Sequence, residues 1–470
     1  MSFAVRRFCL ALLAWCGAPW APAVAAAEPP ATAGLIVRLQ AAPPHATGRA
    51  AALAASDKTA RVLHASRWHG LLAQTGLAAV PGLRLEPVGS ASFRLRPARA
   101  WTAAEAARWQ ATLAARPEVA WAVADEREPR LQAAAVSPSD PMFAGDLGQW
   151  WLQPVSGTNT DTPTARRRGL PGMASAWARH TGATGTVIAV LDSGWTAHPD
   201  LDPSRLLPGY DMVSDWDDAR QRGTAHDGDG RDADARDPGD GVSVAERTAD
   251  PTRYAGCEAS ASSWHGTAVL GLVAAQSDNA QGVAGIDWAA RLLPVRVAGQ
   301  CGATVRDIVD GMRWAAGLPV CRSYADTQDP QAGCAEWAPV NPAPARIINI
   351  SYGGTAACNA EYQDTIDELW ARGVVVVAAA GNGHGAPSRP ASCERVAGVT
   401  AVNRDGFKTH YANFGAAVRI ATVGGDDSGG RWGALLADDG LLGLDNLGLQ
   451  APGEPSYRAR SGTSFAAPVV

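Results

Sequence analysis

At 470 residues, 46% of them hydrophobic, the chain is long enough for more than one folding unit with a sizeable core. A formal net charge of −5 offers no case for nucleic-acid binding. Lys58 and Lys408 are the only lysines; arginine supplies the other positive charges, a bias that matches the abundance of alanine and reflects composition, not function.

In chain order, the first segment reads as an export signal. Arg6 and Arg7 precede a short apolar run from Phe8 to Trp15, and Ala25-Ala26-Ala27 offers a small-residue cleavage site. The run is too short for a membrane anchor and is followed by Pro19 and Pro22. A secreted protein is expected, passing through the periplasm if the cell is Gram-negative, with residues 1–27 as signal peptide and no membrane anchor.

A block from Gly34 to about Arg130 has its own alternation. Strands are predicted at Leu35–Leu39, Ser92–Arg96 and Val119–Val123, and helices at Ser66–Gln74 and Thr102–Ala115. Thr102, followed three residues later by Glu105, has the pattern of a reciprocal helix cap. The order suggests a small α+β, ferredoxin-like sandwich. Gln132–Ser139 is small, polar and Pro-containing, a natural linker and a candidate processing site.

From about Asp140 the chain alternates strands and helices. Continuous apolar runs at Thr186–Leu191, Arg291–Val297, Ile347–Ile350, Val374–Ala378 and Val399–Val402 fit strands buried on both faces. Helices are predicted between them at His265–Ala275, Val305–Ala316 and Glu361–Arg372. The expected fold is α/β, a doubly wound and mostly parallel sheet with helices on both faces and its chemistry at the carboxyl ends of the strands.

Three stretches carry candidate chemistry. Asp192 ends an apolar strand before Ser193-Gly194, where a carboxylate can orient an imidazole. His265, in His265-Gly266-Thr267, opens a helix. Ser464 follows Gly462-Thr463 and heads a run of small residues, so its own N–H can face a developing oxyanion. Singly, each has a blander reading: a turn aspartate, an incidental histidine, an N-cap serine. Together, in the order Asp, His, Ser, they supply the parts of an activated nucleophile.

These motifs resemble those of the subtilisin-like serine proteases, the subtilases: D-S/T-G after an apolar strand, H-G-T opening a helix and G-T-S-x-A-x-P at the nucleophile. Ala379-Ala380-Gly381-Asn382 is similar to the family's A-x-G-N. The resemblance implies that Asp192 orients, His265 is general base and then acid, Ser464 attacks, and Asn382 completes the oxyanion hole. Loss of that amide is expected to cost about 10²–10³ in turnover, a magnitude measured within this same family. Ser351, Gly353 and Gly354 resemble the family's S-x-G-G substrate edge, and Cys301, Gly302 and Ala303 the facing one, with a peptide lying between as an added strand. Gly353-Gly354 reads equally well as a plain turn.

The resemblance also implies departures. Ala268, Leu270 and Phe465 replace common family residues, and Ala421–Gly425 replaces A-P-G-G. His198 matches a structural histidine, and His384 is read as a solvated loop residue. The family's serine heads a long buried helix, whereas this sequence ends at Val470. A truncated, destabilised domain is therefore expected at 136–470, and a non-catalytic remnant acting only as a binding or regulatory protein stands as the alternative.

Asp227, Asp229, Asp232, Asp234 and Asp237 crowd a glycine-relieved loop. A structural calcium ion is the favoured reading there, against an acidic loop neutralised by Arg231 and Arg236. A second site is offered by Asp200 with Asn279 in the loop Ser277–Val283, which resembles the family's calcium loop. Without Cys9 and Cys16, six cysteines remain, and their even number in an exported chain favours disulfides. Several connectivities are open; neighbour pairing, Cys257 with Cys301, Cys321 with Cys334 and Cys358 with Cys393, is the expectation.

Residues 28–135 resemble, by position and architecture, the inhibitor-type propeptide of subtilases. The whole reads as a secreted serine endopeptidase made as a zymogen: protein substrates, its own propeptide as intramolecular inhibitor, no nucleic-acid partner, a monomer. An α/β-hydrolase esterase is disfavoured, since its nucleophile needs G-x-S-x-G and the order Ser, Asp, His.

Overall fold

A computed structural model describes residues 32–40, 67–88, 92–126, 135–145, 148–158, 160, 167–217, 222–324, 333–426, 438 and 440–470. The export signal and residues 132–134 of the linker lie outside these. The chain divides into two units, Met1–Leu131 and Gln132–Val470.

In the first unit, strands β1 (Leu35–Leu39), β2 (Arg84–Val88), β3 (Ser92–Arg96) and β4 (Val119–Ala124) form one sheet in the order β2-β3-β1-β4. All three pairings are antiparallel. Helix α1 (described over 67–75) and α2 (Ala103–Ala114) complete a β-α-β-β-α-β order, the split arrangement expected of a ferredoxin-like unit. Thr102 caps α2 as predicted: its hydroxyl accepts the Glu105 N–H while the Glu105 carboxylate accepts the Thr102 N–H. Arg99 and that N–H together hold the Glu105 carboxyl down at about 2. Trp68, Leu71 and Leu77 pack with Leu35, Val37, Leu95 and Leu113 into a core of its own. Strand β2 was not anticipated. It carries Pro87 and alternating charge, which a strand tolerates only at a sheet edge, and the edge is where it lies.

The second unit is built on seven strands: β5 (Val187–Asp192), β6 (Tyr210–Asp211), β7 (Arg291–Arg296), β8 (Ile347–Ile350), β9 (Val375–Ala379), β10 (Val396–Val402) and β11 (Val418–Val423). Their order is β6-β7-β5-β8-β9-β10-β11, and every neighbouring pair is parallel. From β5 the chain first builds outward through β6 and β7, then crosses back to place β8 on the other side. The carboxyl ends of β5 and β8 therefore flank the point where the winding reverses, which is where doubly wound sheets open a crevice.

Side-chain alternation along β5 assigns its faces. Val187, Ala189 and Leu191 pack with Ile308, Val309 and Met312 of α4 (Val305–Ala315) and Ile366 and Leu369 of α5 (Ala360–Ala371). Ile188 and Val190 pack on the opposite face with Val269, Leu270, Leu272 and Val273 of α3 (His265–Ala274). By the same parity, Asp192 belongs to the α3 face. An antiparallel hairpin, β12 (Leu441–Asn446) and β13 (Pro455–Arg460), covers α3 through Leu441 and Leu444. It leads into α6 (Thr463–Ala466), whose Ala466 packs with Val377, Ala379, Val399 and Ala401 of β9 and β10.

Three disulfides close as neighbour pairing anticipated: Cys257–Cys301, Cys321–Cys334 and Cys358–Cys393.

Candidate active site

Strand β5 delivers Asp192 to the crevice, and the turn that follows admits only glycine beside it. Gly194 has φ 103°, and a Cβ on Gly266 would lie 2.0 Å from the Gly194 carbonyl oxygen. The two glycines let the start of α3 press against the end of β5. Ser193 stitches the same contact: its hydroxyl donates to Asp237 Oδ2 at 2.7 Å and accepts the Gly266 N–H at 3.0 Å. Burial, with Asp240 nearby, pushes the Asp237 carboxyl up to about 7. Asp240 accepts the Ser263 N–H and hydroxyl, each at 2.5 Å, and Ser263 Oγ in turn accepts the His265 N–H at 3.2 Å. Trp264 turns the chain into α3 in a left-handed conformation, φ 50°, with its indole N–H donated to the Gly448 carbonyl at 2.7 Å.

This framework sets His265 Nδ1 at 2.7 Å from Asp192 Oδ1. The carboxylate is 1% exposed and the imidazole 16%. A second hold on that carboxylate is the Ser193 N–H at 2.9 Å. The Nδ1 proton is thereby fixed toward the acid, which leaves Nε2 as the basic nitrogen. The rings of Tyr352 and Phe465 flank the imidazole, each with its centroid at 5.2 Å. Phe465 directly follows Ser464, so the residue after the serine places an aromatic ring against the imidazole.

Ser464 lies in the first turn of α6, where backbone N–H groups have no partner within the helix. Its hydroxyl donates to the Ser351 carbonyl at 3.0 Å, and the Ser351 hydroxyl donates to the Ser464 carbonyl at 2.8 Å. No hydrogen bond joins Ser464 to His265 in this conformation. Asn382 Oδ1 accepts both the N–H and the hydroxyl of Thr463, at 2.9 and 2.8 Å, and the Thr463 hydroxyl accepts the Gly381 N–H at 3.0 Å. With its oxygen so occupied, the Asn382 amide presents Nδ2 as its remaining donor.

Asn382 and Ser464 line one cleft of about 430 Å³, together with Ser351, Tyr352, Gly353 and Ser388. Gly353 is required by a close approach: a Cβ there would lie 2.1 Å from the Arg389 carbonyl oxygen, and Gly354 pairs antiparallel with Arg389. The segment is thus both a backbone junction and a wall of the cleft. Cys301 and Gly302 form a tight hairpin in which Ala298 pairs with Ala303 and Gly299 with Gly302. That hairpin is anchored by the Gln300 N–H, donated to the Thr224 carbonyl, and by the Gln300 side-chain amide, donated to the Gly241 carbonyl. No hydrogen bond connects it to Ser351–Gly354 among the described residues.

The aspartates of the 227–237 loop go to separate partners. Asp227 pairs with Arg296 at 2.6 Å, Asp234 with Arg236 at 2.5 Å, and Asp237 with Ser193; Asp232 accepts the Asp234 N–H at 2.7 Å, and the Asp229 N–H approaches Asp227 at 3.4 Å. Arg231 turns inward to Asp307 and Asp310 instead of neutralising the loop. Among the described residues no group of three or more His, Cys, Asp or Glu is gathered as a metal site.

Asp200 and Asn279 do meet: the Asn279 amide donates to Asp200 Oδ1 at 3.1 Å and the Val283 N–H to Oδ2 at 2.8 Å. Asp140, which the motif search passed over, adds a second carboxylate. Its Oδ2 accepts the Asp278 N–H at 2.7 Å, while its Oδ1 is buried without a partner. Burial pushes the Asp200 carboxyl up, and the charge of Asp140 adds to that rise. Two buried carboxylates, an orphaned oxygen and a carbonyl-rich loop suit a hard cation such as calcium.

His198 is structural, as expected: its Nδ1 accepts the Asp200 N–H and its Nε2 donates to the Ser456 carbonyl, both at 3.1 Å. His384 is not a free loop histidine. Its Nδ1 sits 2.6 Å from the His410 carbonyl and 3.1 Å from Lys408 Nζ.

The peptidase S8 subtilase family matches residues 183–470, the span that holds β5 through α6. The chain belongs to the subtilase family. It is 38% identical over 297 residues to an extracellular protease of Xanthomonas campestris, covering 63% of this chain and 44% of that protein. An extracellular basic protease of Dichelobacter nodosus is 32% identical over 363 residues, covering 76% of this chain and 50% of that one. The chain thus spans about half the length of these two relatives. Among solved structures, a protease of Pseudoalteromonas arctica superposes with a TM-score of 0.55 at 37% identity, over 71% of this chain and 84% of that one.

Proposed function

We propose that this subtilase is a secreted serine endopeptidase that hydrolyses peptide bonds through Asp192, His265 and Ser464. The observation that carries the reading is the 2.7 Å link between buried Asp192 and His265 Nδ1, with the imidazole packed on Tyr352, which lines one cleft with Ser464 and Asn382. In the first step the Ser464 hydroxyl leaves the Ser351 carbonyl and turns to His265. Nε2 takes its proton as Oγ bonds to the scissile carbon, and the carbonyl oxygen gains the negative charge. Asn382 Nδ2 and the Ser464 N–H hydrogen-bond to that oxyanion. As the tetrahedral centre collapses, the C–N bond breaks and His265 gives its proton to the departing amine. Water then repeats the sequence on the acyl-enzyme, regenerating Ser464. Asp192 keeps its charge throughout and stabilises the imidazolium.

The ferredoxin-like first unit serves in this reading as a propeptide, removed by cleavage between Leu131 and Asp140. Its independent core and sheet order support that role. Asp140, Asp200, Asn279 and carbonyls of the 276–283 loop would hold a calcium ion, whose positive charge compensates the two buried carboxylates and clamps the loop after α3.

Expression of the whole chain with casein as substrate tests the proposal. Casein cleavage and release of the first unit are expected, both abolished by Ser464→Ala. A folded protein that leaves casein intact and never processes itself would support the binding-protein alternative instead.

A further inference from the structure

We propose that Asn413 is the positioning residue that holds the oxyanion donor Asn382 in place; this rests on the reading of Asn382 given above. The Asn382 segment, Gly381-Asn382-Gly383-His384-Gly385-Ala386, has little packing of its own. Asn382, Gly383 and Ala386 are exposed, and none of the six is buried. Three glycines in six residues also make it costly to order. A donor that must meet an oxyanion within a few tenths of an ångström therefore needs an outside support.

Asn413 supplies it from below. Its side chain is buried, 4% exposed, and every hydrogen-bonding position on its amide is used. Oδ1 accepts the N–H groups of Gly383 and Gly385, both at 2.9 Å. Nδ2 donates to the Ala380 carbonyl at 2.9 Å and to Ser388 Oγ at 3.2 Å. These four partners bracket Asn382 on both sides. The Asn413 N–H adds a fifth bond, to the Gly381 carbonyl at 2.9 Å.

The fit is tight enough to dictate sequence. Gly381 has φ 101°, and a Cβ there would lie 2.5 Å from both Asn413 Nδ2 and Ser388 Oγ. Asn413 is itself anchored: the Thr400 hydroxyl donates to its carbonyl at 2.6 Å, and Lys408 Nζ donates to the carbonyls of Thr409 and Ala412 just before it. Asn413 does not act on the reacting atoms directly; it acts through Asn382, so its loss should lower turnover more than substrate affinity.

Steady-state kinetics on one peptide anilide test this with Asn413→Ala, Asn382→Ala and the double variant. Asn413→Ala is expected to lower kcat about 10- to 100-fold with KM changed less than about threefold. In the Asn382→Ala background the same change should cost less than about threefold more, because the group being positioned is gone. Full additivity, or an unchanged kcat in Asn413→Ala, overturns the inference while leaving the proteolytic reading intact. An inert Asn382→Ala would overturn both. Should Asn413→Ala not fold, Asn413→Asp keeps the volume and both acceptor bonds but sets a carboxylate against the Ala380 carbonyl. Its kcat relative to the parent should rise as pH falls and the carboxyl regains a donor proton; a ratio constant with pH contradicts the proposal.

Discussion

Gly266→Ala is the substitution whose cost follows most directly from the structure. The new Cβ would stand 2.0 Å from the Gly194 carbonyl oxygen, 3.0 Å from its nitrogen and 3.1 Å from Asp192 Cβ. A carbon–oxygen contact relaxes only at about 3.3 Å, so α3 and the end of β5 must part by about 1.3 Å. All the obstructing atoms belong to backbone or to a Cβ, so no side-chain rotation absorbs the clash. The same displacement applied to the 2.7 Å Asp192–His265 bond carries it beyond hydrogen-bonding distance. Overpacking of this kind costs about 1–3 kcal/mol of stability. Misalignment by about 1 Å lowers turnover about 10²-fold, with complete loss of the aspartate's help, about 10⁴-fold, as the ceiling. Peptide-anilide turnover would be measured beside urea unfolding. Gly271→Ala, on the same helix, is the control: the three atoms nearest its Cβ all belong to the Leu444 side chain, so it should lose stability and keep kcat. Wild-type kcat in a folded Gly266→Ala protein would refute the reasoning.

Asp237 makes stability depend on pH. Its carboxyl is raised to about 7 in the fold against 3.8 when free, so the folded state binds the extra proton across that interval. Stability should fall as pH rises from about 4 to 7 and stay low above it; in Asp237→Asn, which cannot ionise, melting temperature should lack this fall, and parallel curves would contradict the assignment. Removing Cys257–Cys301, which joins residues 44 apart, should cost about 4 kcal/mol, and removing Cys321–Cys334, only 13 apart, about 3 kcal/mol, by denaturant unfolding of Cys→Ser pairs. A larger loss from the shorter loop would exclude chain entropy as the cause. Chelation of calcium should lower the melting temperature of the parent but not of Asp200→Asn or Asp140→Asn; an equal drop in all three would place the ion elsewhere.

The parallel sheet was legible because its strands are buried on both faces and so read as unbroken apolar runs, Val187–Leu191 above all. Several other strands were not legible. β2 carries Pro87 at a sheet edge, β13 begins at Pro455, and β11 has Arg419 and Thr422 among its apolar residues. Asp192, His265, Asn382 and Ser464 stood out because each sits in a short glycine-containing motif; close backbone approach forces Gly194 and Gly266 there, and the Asn413 and Ser388 side chains crowd Gly381. Asn413 and Asp140 were not, since each does its work on residues distant in sequence and neither has a local signature. Periodicity likewise gives no rotamers, which is why the Ser464 hydroxyl lying on the Ser351 carbonyl was unforeseen. The pairing inside the acidic loop was unforeseen for a related reason: composition counts its aspartates, but Arg296, which pairs with Asp227, comes from elsewhere in the chain.

The most direct test of the account is the site of reaction with a fluorophosphonate, which labels a serine only where a base has raised its nucleophilicity. Peptide mapping by mass spectrometry should find the adduct on Ser464 alone, with labelling slowed about 10⁴-fold in Asp192→Asn. A folded, processed protein that takes up no label at Ser464, or labels equally fast without the Asp192 carboxylate, would contradict it.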